Sequence, residues 1–427
     1  MNPRHIPTSA VWLTQAVFLA AFIGAYAAAS STTRQTLVED LGIDVPVARI
    51  DVPREQALVI APLYDDAEVV SDDELAAVLW KVQPRFSKAQ LKPNYVEHAL
   101  RTWWIKSQFA DSEVMSGAAM KDYLVDHGQY LASWGDQVEP LLQDYNDGVS
   151  VRWGKSEGAS VHHDHWLCCL TEAGVGIDEP VFTPTHRGRT IRDVVQRAMR
   201  DFRVDEIETE WTSLALGLWL APQKSWVNRD GREVSFDLLA LRLMRGERSL
   251  GVCSGTHRVY SLMALLRLDD EFQILSAAAR ADVWKYLEGV RDAITASQFP
   301  DGHWPSNWPL GAAALTNPIK DEDYKQVIAT GHHLEWLAIA PRELHPPRDR
   351  ILKAADWLIR TTREQSTSEI LQRYTFFSHV GNALALWRNT HPADFWMAWE
   401  AQHPGYAPEE PISALPATKR AAASTSH

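Results

Sequence analysis

Six stretches of this chain are apolar around most of a helical circumference, and each opens on a small or polar cluster containing His or Glu. They read EHALRTWWI from Glu97, HHDHWLCCL from His162, ETEWTSLALGLWL from Glu208, GTHRVYSLMALLRL from Gly255, GHHLEWLAIA from Gly331 and SHVGNALALW from Ser378. A helix apolar on all sides must be buried on all sides. Six amphipathic segments alternate with them, beginning at Asp72, Ala118, Arg189, Val234, Ala279 and Pro347. Their charged faces suit an outer layer. The inner marks repeat: His163 to Glu210 spans 47 residues, Glu210 to His257 spans 47, and His333 to His379 spans 46. The longer intervals, His98 to His163 (65) and His257 to His333 (76), contain insertions at 135–158 and 299–327. Pro300, Pro305, Pro309 and Pro318 keep the second from being helical throughout.

This pattern predicts an all-α fold, an (α/α)6 toroid of six helical hairpins. Inner helices would form a parallel barrel, with outer helices antiparallel around it. An open solenoid is the alternative. Closure is favoured because neither end of the array carries a polar capping face.

The ends read differently. Residues 10–29, AVWLTQAVFLAAFIGAYAAA, carry no charge and follow Arg4 and His5. That is the form of a cleaved export signal or of an N-terminal anchor, since about 20 apolar residues cross a bilayer. The expected organisation is therefore a signal or anchor over 1–30, a linker over 31–71, the toroid over 72–395 and a disordered tail over 396–427. The expected location is exported, membrane-anchored or periplasmic, with the N-terminal helix as the membrane contact. A net charge of −13 with no basic tract excludes nucleic acid as a partner. Three cysteines are too few for a disulfide framework. One bridge from Cys253 to Cys168 or Cys169 and three buried thiols are the two readings.

Parallel inner helices would gather their N-terminal clusters at one rim, where unpaired N–H groups favour anions and neutral imidazoles. The candidate catalytic residues there are Asp164, Glu210, His257 and His333, with Asp164 and Glu210 as a paired acid and base. Candidate substrate-binding residues are His98, His163, Trp211, Arg258 and His379. Zinc is the candidate cofactor, on Cys253, His257 and His333, because thiolate and imidazole are zinc ligands and Cys253 and His257 share a helix face at i, i+4. Each position also has a plain structural reading, as a helix cap or a hydrogen-bonded core residue.

Residues 294–304, ITASQFPDGHW, place Gln298, Gly302 and Trp304 as in a QW motif. This resembles the squalene–hopene and oxidosqualene cyclases, whose α/α-toroid superfamily includes protein prenyltransferase β-subunits. Residues 143–153, QDYNDGVSVRW, read as a degenerate second copy. The resemblance implies a terpenoid cyclase-like or prenyltransferase-like toroid, with Gln298 and Trp304 tying an outer helix to the next loop. The cyclases' aspartate-rich protonating motif does not occur. Together, these readings point to a toroid that binds or transforms an apolar or anionic small molecule at the rim. A polysaccharide lyase or glycoside hydrolase, with a glycan as ligand, is the second reading. A non-catalytic envelope scaffold is the third, so catalysis itself stays open.

Overall fold

The computed structural model describes residues 8–29, 33, 34, 37, 49–246 and 253–408. It is mostly helical. The N-terminal helix α1 (Thr8–Ala28) is apolar, solvent-exposed and long enough to cross a membrane, a test that a signal sequence also passes.

Six amphipathic helices match the outer segments: α2 (Asp72–Lys81), α4 (Gly117–Val125), α7 (Ile191–Asp201), α9 (Phe236–Arg245), α11 (Ala277–Ser297) and α14 (Arg348–Glu364). Local chemistry sets their starts. Ser71 and Glu74 form a reciprocal capping box on α2, and the hydroxyls of Ser116, Ser235 and Ser276 accept from the third residue of α4, α9 and α11. The sequence reads a single helix from Ala118 to Trp134, but the chain breaks at Asp126 and resumes as α5 (His127–Trp134). Asp126 is extended and pairs with Phe182, whose N–H donates to Val125 and whose carbonyl accepts from His127. A tertiary strand contact overrides the local helical pattern there.

The buried helices are α3 (Pro93–Trp103), α6 (His165–Glu172), α8 (Glu210–Leu220), α10 (Thr256–Phe272), α13 (Asp323–Ile339) and α16 (Tyr374–Trp387). Each touches the next, and α16 touches α3, so their contacts run in cyclic order. The amphipathic helices pack outside: α4 on α3, α7 on α8, α9 on α8 and α10, α11 on α10, α14 on α13 and α16, and α2 on α14 and α16. Three two-stranded hairpins decorate the helices. One of them, Leu142–Tyr145 with Gly148–Val151, occupies the stretch read as a degenerate QW copy. The copy at 294–304 behaves as a tie. Gln298 Nε2 donates to Gly302 and Arg350 carbonyls at 2.8 Å each, and Trp304 Nε1 donates back to Ile294 at 2.8 Å. Gly302 has φ +110, and a Cβ there would meet the Lys353 carbonyl oxygen at 2.2 Å, so only glycine fits.

Residues 49–71, read as part of a linker, are packed against the body. They form an extended strap that visits the C-terminal ends of the buried helices in turn. The strap pairs Glu55 O with Ile177 N, Leu58 N with Leu218 O, Leu63 N with Ala338 O and Asp66 N with Trp387 O, at 2.8–3.0 Å. Arg54 and Tyr64 side chains add bonds to Ala221 and Ala340 carbonyls. Helix C-termini leave carbonyls without intrahelical donors. The strap supplies those donors, which is why a segment with no period of its own becomes ordered. At the other end, α17 (Pro392–Gln402) covers the first part of the expected tail and buries Trp396. Residues 409–427 lie outside the described residues.

Candidate functional site

Each buried helix contributes one aromatic side chain to a closed ring. Going round, centroid distances are 4.5 Å from His98 to His165, 4.5 Å to Trp211, 4.1 Å to His257, 4.2 Å to His332, 3.8 Å to His379 and 5.3 Å back to His98. All six are buried. His165, Trp211 and His257 lie in the first turn of α6, α8 and α10, while His98, His332 and His379 lie further along their helices.

One turn on, at i+3, stand Arg101, Cys168, Leu214, Tyr260, Glu335 and Asn382. This second layer is knit by charge. Arg101 bonds Glu335 at 3.0 Å and Glu172 at 2.6 Å, Tyr260 donates to Glu172 at 3.0 Å, and Asn382 donates to Glu335 at 2.7 Å. Burial works to raise the Glu335 carboxyl. Arg101 and the imidazoles of His379 and His332 outweigh it and hold the group well below the usual carboxylate range. Beneath the layer, a cavity of about 50 Å³ lined by Arg101, Glu172, Tyr260, Asn382 and strap residues Leu58 and Ile60 lies under the strap.

Ionised Glu335 sets the tautomer of His332. His332 Nδ1 is 2.6 Å from Glu335 Oε2, which places its proton on Nδ1 and leaves a lone pair on Nε2. His379 Nδ1 is shared between Glu335 Oε2 at 3.2 Å and the donor Arg101 Nη1 at 3.3 Å. The Nε2 atoms of His257, His332 and His379 are buried and have no hydrogen-bond partner among the described residues. Burial, reinforced by His332, holds His379 down to about 3, and burial with His332 and His379 holds His257 well below its usual value. The imidazoles of His257 and His379 are therefore neutral near pH 7.

Ligand atoms of Cys253, His257 and His332 lie within 4.8 Å of one another, and so do those of His332, Glu335 and His379. Cys253 opens a run of three left-handed residues, Cys253, Ser254 and Gly255, that leads into α10. Burial pushes its thiol up to about 12. The set of Cys253, His257 and His332 matches a soft divalent ion held by thiolate and imidazole, with Glu335 orienting His332 from behind.

The sequence readings fall into place residue by residue. His98, Trp211, His257 and His379 join the ring. His163 does not, and His165 takes its place. The His163 Nδ1 sits 3.4 Å from Asp164 and from Glu206. Burial alone would lower that ring's pKa, but Asp164, Glu206 and Glu208 raise it, while burial pushes Glu206 to about 7. His333 is one residue out of phase with the ring. It lies edge-on to Trp304 and Trp308, and its Nδ1 accepts from Trp336 Nε1 at 3.0 Å. Its one lone pair is thus used, so the chain brings His332, not His333, to Cys253 and His257.

The two acids of the expected pair are occupied separately. Asp164, left-handed at φ 54, accepts from Thr212 at 2.6 Å. Glu210 takes Arg258 Nε at 2.7 Å and the Thr209 N–H at 2.9 Å, so Arg258 is neutralised rather than offered to an anion. All three cysteines are free.

Sequence reasoning missed Glu97 and Arg101. Glu97 is fully buried, bonded to His165 Nδ1 and to Ser160, and burial raises its carboxyl to about 8. Beyond it, His165 Nε2 lies 3.3 Å from Cys169 Sγ. The signal for Arg101 was its place one turn after a ring residue in an otherwise apolar helix. Comparison of the chain with protein-family models, with curated proteins and with solved structures returned no match.

Proposed function

We propose that this chain is an exported or membrane-anchored (α/α)6 toroid that holds one divalent transition-metal ion, zinc by its ligand set, in its core. The toroid is supported by the cyclic contacts of six buried helices and by the amphipathic helices outside them. The Gln298 and Trp304 ties support a likeness of pattern to the cyclase and prenyltransferase superfamily. The apolar helix α1 supports export or anchoring.

One observation carries the metal. Three buried imidazoles, His257, His332 and His379, present unpartnered Nε2 atoms, and Glu335 holds the other nitrogen of two of them. A buried nitrogen lone pair without a donor costs free energy unless something binds it. Cys253 lies with His257 and His332 in one sulfur and nitrogen set, of the kind that zinc favours over magnesium or calcium. A metal so placed acts on a small molecule as a Lewis acid or fixes the fold. Metal analysis of the purified full chain tests the reading, with about one equivalent of zinc expected. Zinc below about a tenth of an equivalent, with none taken up on reconstitution, would overturn it.

A further inference from the structure

Trp211 is the ring member that cannot ligate a metal. Its indole N–H is a donor only, it is buried, and it has no acceptor among the described residues. On the same buried helices, the indole N–H groups of Trp103, Trp166, Trp219, Trp336 and Trp387 all reach an acceptor. Trp396 and Trp399 share the lack, but they sit on α17, outside the ring. Trp211 packs against His257 at 4.1 Å between centroids, beside the proposed metal ligands.

Two further features surround that donor. Trp211 and His257 both lie in the first turn of their helices, where backbone N–H groups favour negative charge. A dication bound by one thiolate and neutral imidazoles keeps one net positive charge. In the layer behind, Arg101 is shared between Glu335 and Glu172.

We infer that the site takes a small monoanion, held between the metal and the Trp211 N–H. This rests on the metal reading and adds its exogenous ligand. The anion is compact, of the size of azide, cyanate or fluoride, because the ring residues are buried and neighbouring centroids lie 3.8–5.3 Å apart. It satisfies the orphaned donor, with no covalent change in the protein.

The full chain loaded with cobalt(II) tests this, with azide as the probe. Saturable change in the visible cobalt bands is expected on adding azide. Trp211→Phe should bind cobalt equally and need at least about tenfold more azide for half-saturation. Trp211→His, which keeps a ring N–H, should recover part of that loss and stands in if the Phe variant fails to fold. Cobalt bound without a saturable azide response would overturn the anion and leave the metal reading standing. Equal azide affinity in wild type and in both variants would overturn the role of Trp211. Failure to take up cobalt at all would overturn both readings.

Discussion

Glu335 lies one helical turn beyond His332 and holds its Nδ1 at 2.6 Å, so a single carboxylate decides which nitrogen of that imidazole is free. Outer carboxylates of this kind typically account for about 10–100-fold in metal affinity. Glu335→Gln should keep the helical signal and weaken zinc binding by that order, read by competition with a chromophoric chelator. An unchanged affinity would remove Glu335 from the centre.

Proton release upon metal binding is set by Cys253. Its thiol is pushed up to about 12, so at neutral pH it has a proton to lose, while His379, held at about 3, has none. Zinc binding should release about one proton, and affinity should tighten about tenfold per pH unit between roughly pH 6 and 9. Cys253→Ala should flatten that slope. A slope of two or more in the wild type would mean that an imidazole proton is also displaced.

Acid should unfold the metal-free chain from the ring outward. His98, His165, His257, His333 and His379 all have depressed pKa values in the fold, chiefly through burial. The unfolded chain therefore binds more protons below about pH 6.5, and the stability these groups give above that pH is lost as pH falls toward about 3. Glu97 acts oppositely. Raised to about 8, it gives stability that is complete below about 4.5 and lost as pH rises to 8. Thermal unfolding should show a maximum near pH 6.5, with several protons taken up on unfolding at pH 5. Glu97→Gln should flatten the alkaline side and steepen the acid side above about pH 4.5. A Tm independent of pH from 4 to 7 would contradict this account of the core.

Truncation separates strap from linker. Removing residues 1–48 should leave Tm of the body within about 3 °C of the full chain. Removing residues 1–66 deletes the donors to the Leu218, Ala338 and Trp387 carbonyls. At about 0.5–1.5 kcal/mol per bond, together with lost packing, Tm should fall by more than about 10 °C. Equal melting of the two truncations would mean that the strap is ornamental.

The alternation of buried and amphipathic helices was legible because helical period and all-round apolarity are local properties. Every inner and outer segment read from the sequence contains a helix in the structure, although the one from Ala118 is broken at Asp126. Phase was not legible within the inner helices. His332 and His333 are neighbours in a helix with no polar face, so nothing local says which one turns inward, and the same holds for His163 and His165. Glu335 and Trp336 stand one turn beyond His332 and His333 on the same helix, so each imidazole has a local partner and the sequence does not rank them, while Glu97 reaches His165 only once the helices pack. The strap was invisible for a related reason: its order comes from carbonyls at helix ends far away in sequence.

The most direct measurement is therefore metal stoichiometry in two adjacent variants. The account predicts that His333→Ala, measured as folded protein, keeps about one zinc per chain, while His332→Ala loses most of it. Equal zinc in the two variants, or loss only in His333→Ala, would contradict the proposed centre.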